Sequence, residues 1–241
     1  MAVFRAAGVA LAAAAHRAGG NMLTWGDLSW SDDLSPAERS KVTLAIKKAE
    51  LQTSGEIVVV AARASDDYIH VPIHIAAACA LAVPFIMPFI ARFFPWSAIS
   101  IPWVFATQLI VFIIVALILS LPFFRYAITP NKLMRKYAHR NAATQFLALN
   151  THGTGGRTGV LIFVSLLERY VEVIGDTAIA QKVTKADWQK IIDAMLPMLA
   201  NKQTTDALVL GVEHCGAILK QHFPEGSNKT NELPDHFIVL N

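Results

Sequence analysis

The sequence predicts an α/β domain interrupted in its middle by a transmembrane helical hairpin, and three observations carry that expectation. Two long stretches without a charged residue, 68–91 and 97–124, occupy the centre of the chain. On either side, capping residues and apolar patterns alternate between helix and strand. The segment before the hairpin supplies only one helix and one strand, too little to close a core, so the two flanks must complete one sheet.

Composition agrees. Of 241 residues, 54% are hydrophobic and 16% charged, whereas an ordinary soluble domain has about a quarter charged. The excess is local, because 20 of the 21 basic residues and all 18 acidic ones lie outside 71–124. A net charge of +3 with no basic run longer than two residues excludes a nucleic-acid footprint. Two cysteines, Cys79 and Cys215, make no disulfide framework and read as buried free thiols.

In chain order, residues 1–33 read as a poorly ordered leader. Their alanine-rich start loosely matches a secretory signal, but His16 and Arg17 interrupt the expected cleavage region. The first part of the domain, 34–70, opens on Ser35-Pro36-Ala37-Glu38, a capping box with proline at the first helical position. Val42, Ala45, Ile46 and Ala49 recur at helical spacing, Gly55 is placed to stop the helix, and Ile57–Ala61 is an unbroken run expected of a strand buried on both faces.

The hairpin spans 71–124. Pro102–Phe124 has 23 residues, a reach of roughly 34 Å as a helix and enough to cross a bilayer. Val71–Ile90 is alanine-rich and carries Pro72, Pro84 and Pro88, so a kink is expected near the last two. The connection holds only Arg92, while Arg125, Lys132, Arg135, Lys136 and Arg140 follow the second span. The positive-inside rule therefore places both termini in the cytoplasm, with the protein multi-pass in the inner membrane.

The second part of the domain, 125–224, begins with a helix whose apolar face is Met134, Tyr137, Ala138, Ala142, Phe146 and Leu149 and whose polar face holds Lys136, His139 and Arg140. A glycine-rich loop, 153–159, leads to two strands, 160–166 and 170–174, which read as a hairpin joined through Leu167-Glu168-Arg169; the alternation Val171-Glu172-Val173 predicts an exposed face on the second. Thr184 starts a helix that Pro197 should bend or end, and a last helix covers about 205–222. Residues 225–241 read as a flexible tail.

The strings Leu34-Ser35-Pro36-Ala37-Glu38, Ser54-Gly55-Glu56-Ile57-Val58-Val59-Val60, Gly159-Val160-Leu161-Ile162-Phe163-Val164-Ser165 and Val171-Glu172-Val173, in this order and followed by two helices, resemble the TPM domain, or TPM phosphatase, family. The resemblance covers roughly 34–222 and is best to the bacterial membrane-bound branch with an inserted two-helix hairpin. It implies an α/β/α sandwich. It also implies, from soluble members, calcium binding or weak acid-phosphatase activity. Where relatives commonly carry Asp-Asn-Gly-Val, this chain has Arg157-Thr158-Gly159-Val160, so an acidic position has become basic.

Candidate chemistry is sparse. Asp66 and Asp67 after the first strand and Asp176 after the third could converge at one sheet end as oxygen ligands for calcium. Gly155, Gly156, Arg157 and Thr158 could present N–H groups and a guanidinium to an anion, although no P-loop ending follows. No nucleophile stands paired with a base, and there is no His-Glu-x-x-His or Gly-x-Ser-x-Gly. The resulting expectation is a non-enzymatic membrane protein that meets a protein partner as well as the lipid bilayer, a binding or assembly and maintenance factor for a membrane complex. The alternative is a calcium-dependent, acid-phosphatase-like enzyme.

Overall fold

The computed structural model describes residues 34–93, 100–149, 151, 156–224 and 237–240. The expected leader lies outside them. Among the described residues are four strands and eight helices in a mixed α/β fold. Two compact units divide them: 34–66 joins 131–240 in one, and 67–130 forms the other.

In the first unit, α1 (Pro36–Glu50) starts as the capping box requires, with Glu38 N–H donating to Ser35 Oγ and Ser35 N–H to the Glu38 carboxylate. Its buried row is Val42, Ile46 and Glu50. Glu50 ends the helix usefully: its Oε1 accepts the Ile57 N–H at 2.8 Å, tying α1 to β1 (Glu56–Ala62). All seven residues of β1 are buried, as are all seven of β2 (Gly159–Ser165). Strand β3 (Tyr170–Gly175) returns antiparallel to β2 through the turn at 166–169.

Three helices complete the unit's chain path. They are α6 (Thr177–Lys182), α7 (Lys185–Ala200) and α8 (Thr204–His222), and α7 continues past Pro197, which sits in its last turn. The expected tail is in part a strand. Residues Phe237–Leu240 form β4, parallel to β1, giving the sheet order β3-β2-β1-β4. This four-residue apolar run gains its partner only in the folded sheet, so local polarity upstream of it misled the expectation.

Alternation along the strands splits the core into two layers. Ile57, Val59 and Ala61 of β1, with Val160, Ile162 and Val164 of β2, meet α1, α7 and α8 through Ile46, Ile192, Met195, Leu208, Val212 and Leu219. The opposite face, Val58, Val60, Leu161, Phe163 and Tyr170, is covered by Ala138 and Ala142 of α5 (Asn131–Ala148). Cys215 is buried in the first layer, where burial raises its thiol well above the ordinary range.

The second unit contains α2 (His70–Ala91), α3 (Ile101–Ser120) and α4 (Pro122–Ile128). Helices α2 and α3 are long and apolar enough to span a membrane. No residue of α3 is buried, and Phe85, Trp103 and Leu117 are 83%, 68% and 67% exposed. The second apolar run does not stay helical to Phe124 as expected. Pro122 holds Leu121 extended (ψ 135°), so α3 stops at Ser120 and α4 begins afresh. Cys79 is also a correction: it is exposed on α2, outside the buried row that holds Ala76 and Ala80.

Candidate functional site

The glycine-rich connection ends at the start of β2. Gly155 lies outside the described residues. Gly156 and Arg157 are exposed, and Arg157 has a left-handed backbone (φ 50°). Thr158 is buried and engaged in the fold: its Oγ1 donates to the Ser54 carbonyl at 3.1 Å, and its carbonyl accepts the Glu56 N–H at 3.2 Å. Thr158 thus joins the loop to the start of β1.

Gly159 marks a close approach of chain segments. A Cβ there would fall 2.0 Å from the Thr151 carbonyl oxygen, so only glycine fits. Its own carbonyl accepts the Asp176 N–H at 2.9 Å. Asp176 Oδ1 caps α6, accepting from Thr177 N–H at 2.6 Å and from Thr177 Oγ1 at 2.8 Å. Its Oδ2 and the Thr151 Oγ1 are both buried without a hydrogen-bond partner among the described residues.

Asp66 lies at the other end of the sheet from Asp176. Strands β1 and β2 run parallel and β3 runs back, so Gly175 pairs with Val160 near the start of β2, while Asp66 follows the end of β1. A seven-residue strand separates such positions by about 20 Å. Asp67 falls in the second unit. The expected convergence of Asp66 and Asp176 on one metal therefore does not occur, because the antiparallel return of β3 reverses its C-terminal end. Among the described residues no three His, Cys, Asp or Glu side chains group to hold a metal ion. Calcium takes roughly six to eight oxygens, and the two unpartnered oxygens beside Gly159 fall short of that shell.

A polar cluster that the sequence reading placed on the surface is buried instead. Glu172 is 1% exposed, beneath α5. His139 Nδ1 lies 2.9 Å from its Oε1 and 3.0 Å from its Oε2, and Tyr170 donates its hydroxyl to Oε2 at 2.9 Å. An ionised carboxylate only accepts, so Nδ1 carries the hydrogen and Nε2 is left for other partners. Burial pushes the Glu172 carboxyl above its ordinary range, against the opposing pull of His139 and Tyr170. Burial, then the Glu172 charge, push the Tyr170 phenol up as well, so it remains a donor.

Sequence alternation correctly put Tyr170 and Glu172 on one face but assigned that face to solvent. The available signal was the small-residue row Ala138 and Ala142 on α5, which needs a close-packed surface against it. Chemically, the arrangement orients an imidazole through a buried carboxylate, with no hydroxyl or thiol nucleophile bonded to that ring among the described residues.

The fold and its site define a mixed α/β protein with two candidate membrane spans and a sheet covered by helices on both faces. The family model described as TPM domain matches residues 125–218, from α4 through most of α8, leaving α1 and β1 outside the match. Among solved structures, the chain is similar to the NMR structure of BA42 protein from the psychrophilic bacterium Bizionia argentinensis. The identity is 19%, with 88% of this chain and 99% of that chain covered, and the TM-score is 0.54. That likeness is one of fold. No curated protein matches the chain.

Proposed function

We propose that the chain is an integral membrane protein whose two apolar helices cross the inner membrane as a hairpin and hold the α/β unit in the cytoplasm. There it serves as a binding or assembly and maintenance factor for a membrane complex. The observation that carries this reading is α3: twenty residues with none buried, and with Ile101, Trp103, Phe105, Leu109, Ile113 and Leu117 exposed. Water would penalise that surface by about 25 cal/mol per Å², whereas hydrocarbon would not. The full chain expressed in bacteria should stay in the membrane pellet through alkaline carbonate extraction, and a reporter after Asn241 should be active only in the cytoplasm. Release into the supernatant overturns the reading, and an externally active reporter overturns the orientation.

A calcium-dependent acid phosphatase is the second reading; it rests on the family resemblance and would have to draw on Asp176 Oδ2 and Thr151 Oγ1 beside Gly159. It predicts calcium-dependent thermal stabilisation and phosphate-ester hydrolysis by the detergent-purified full chain, both lost in Asp176→Asn. Absence of both in the unaltered protein rejects it.

A further inference from the structure

Charge along the chain is divided with unusual sharpness. Between Asp67 and Glu168 there are seven Lys or Arg residues and no Asp or Glu, while the remaining segments hold 14 Lys or Arg and all 18 Asp or Glu. Six of those seven cations follow α3, and four of them, Lys132, Arg135, Lys136 and Arg140, are on α5.

The helix sorts them by direction. Its buried row is Met134, Ala138 and Ala142. At about 100° per residue, Lys132, Lys136 and Arg140 form a second row on the opposite side, and all three are exposed. Leu147 continues that row and is 61% exposed. Arg135 is set apart, near enough to Tyr170 for its charge to oppose part of the rise that burial and Glu172 impose on the phenol. The acidic neighbour of the row is Asp66, whose Oδ2 stands 3.8 Å from Arg140 Nη2, a long and solvent-exposed pair. A row of cations one short connection away from a candidate span is the pattern of a juxtamembrane basic segment that attracts anionic headgroups.

Covalent reach supplies the occupant. Ten residues, 121–130, separate the end of α3 from the start of α5, and seven of them are helical in α4. Their span is about 20 Å, from 1.5 Å per helical residue and roughly 3.5 Å per extended one. If α3 ends at a membrane surface, α5 begins within reach of the same headgroups. We propose that the Lys132, Lys136, Arg140 and Leu147 face of α5 docks on anionic phospholipid headgroups of the leaflet where α3 ends. The proposal rests on the membrane-spanning reading above and identifies the surface that the α/β unit engages.

The test uses the full chain in nanodiscs of phosphatidylcholine alone or mixed with phosphatidylglycerol, with hydrogen exchange followed across 131–148. Exchange should be slower in the anionic bilayer and should speed up again with added salt. Each cation replaced by glutamine should weaken docking about fivefold, as expected for a basic residue near such a surface. Lys132→Gln/Lys136→Gln/Arg140→Gln should abolish the difference between bilayers, while Lys132→Arg/Lys136→Arg should preserve it. These positions are exposed, so the fold should survive, as circular dichroism would register. Equal exchange in both bilayers overturns the proposal. Carbonate extraction of the same preparation separates the two failures: a chain that washes out of the membrane overturns the underlying reading, and one that remains but shows no lipid dependence overturns only the docking face.

Discussion

On one side of the sheet, Ile57, Val59, Ala61, Val160, Ile162 and Val164 meet three helices through an apolar layer. On the other, Val58, Val60, Leu161 and Phe163 meet α5 through two alanines, and the layer includes the carboxylate of Glu172 held by His139 and Tyr170. The first side draws its stability from volume and area. The second allows one helix to approach closely and sets its position with hydrogen bonds, since a buried carboxylate tolerates few alternatives to its partners. A sheet of uniformly buried strands can therefore be closed by two different kinds of interaction.

The largest test of this contrast is on the apolar side. Ile192→Ala removes a fully packed side chain and should cost about 3 kcal/mol, within the range for such truncations, with urea denaturation as the measurement. A loss below about 1 kcal/mol would mean that the layer relaxes around the gap.

The polar side should respond less. His139→Ala leaves Glu172 with Tyr170 as its remaining side-chain partner. His139 is 38% exposed, so solvent screens the pair and the loss should be about 1–2 kcal/mol, below the 3–5 kcal/mol typical of fully enclosed pairs. The pH dependence has a definite sign. Because the folded Glu172 carboxyl is raised, its contribution is fully present below the ordinary glutamate range and is lost as pH rises through its folded value. Relative to the parent, Glu172→Gln should therefore show a flatter loss of stability as pH rises from about 4.3, measured by thermal unfolding across pH. An unchanged slope would show that this carboxyl titrates as in the unfolded chain.

The smallest effect belongs to the local caps. Ser35→Ala removes the acceptor for Glu38 N–H and should cost about 1 kcal/mol. The cap bonds with Ser35 lower the Glu38 carboxyl, so that group's contribution is present above the ordinary glutamate range and fades as pH falls through its lowered value. The two glutamates thus predict opposite slopes, one from burial and one from an exposed cap.

Much of this architecture is legible from neighbouring residues. The Ser35 box marks the start of α1, the β-branched run marks β1, and the uncharged stretches mark α2 and α3, because each signal acts within a few residues along the chain. The candidate site is far less legible. Alternation places Glu172 on a face but cannot say that α5 covers it, and although the hairpin of β2 and β3 is legible, the parallel run of β1 beside β2 is not.

By itself, then, the sequence determined where α1, β1 and α7 begin, which two segments are apolar enough to span a membrane, and that no acidic residue lies between Asp67 and Glu168. Tertiary structure alone decided that Asp66 and Asp176 lie at opposite ends of the sheet, that Glu172 is buried with His139, and that 237–240 is a strand. The reason is physical: caps and apolar runs are satisfied by local geometry, whereas strand direction and the covering of a face depend on groups distant along the chain, 33 residues apart for His139 and Glu172.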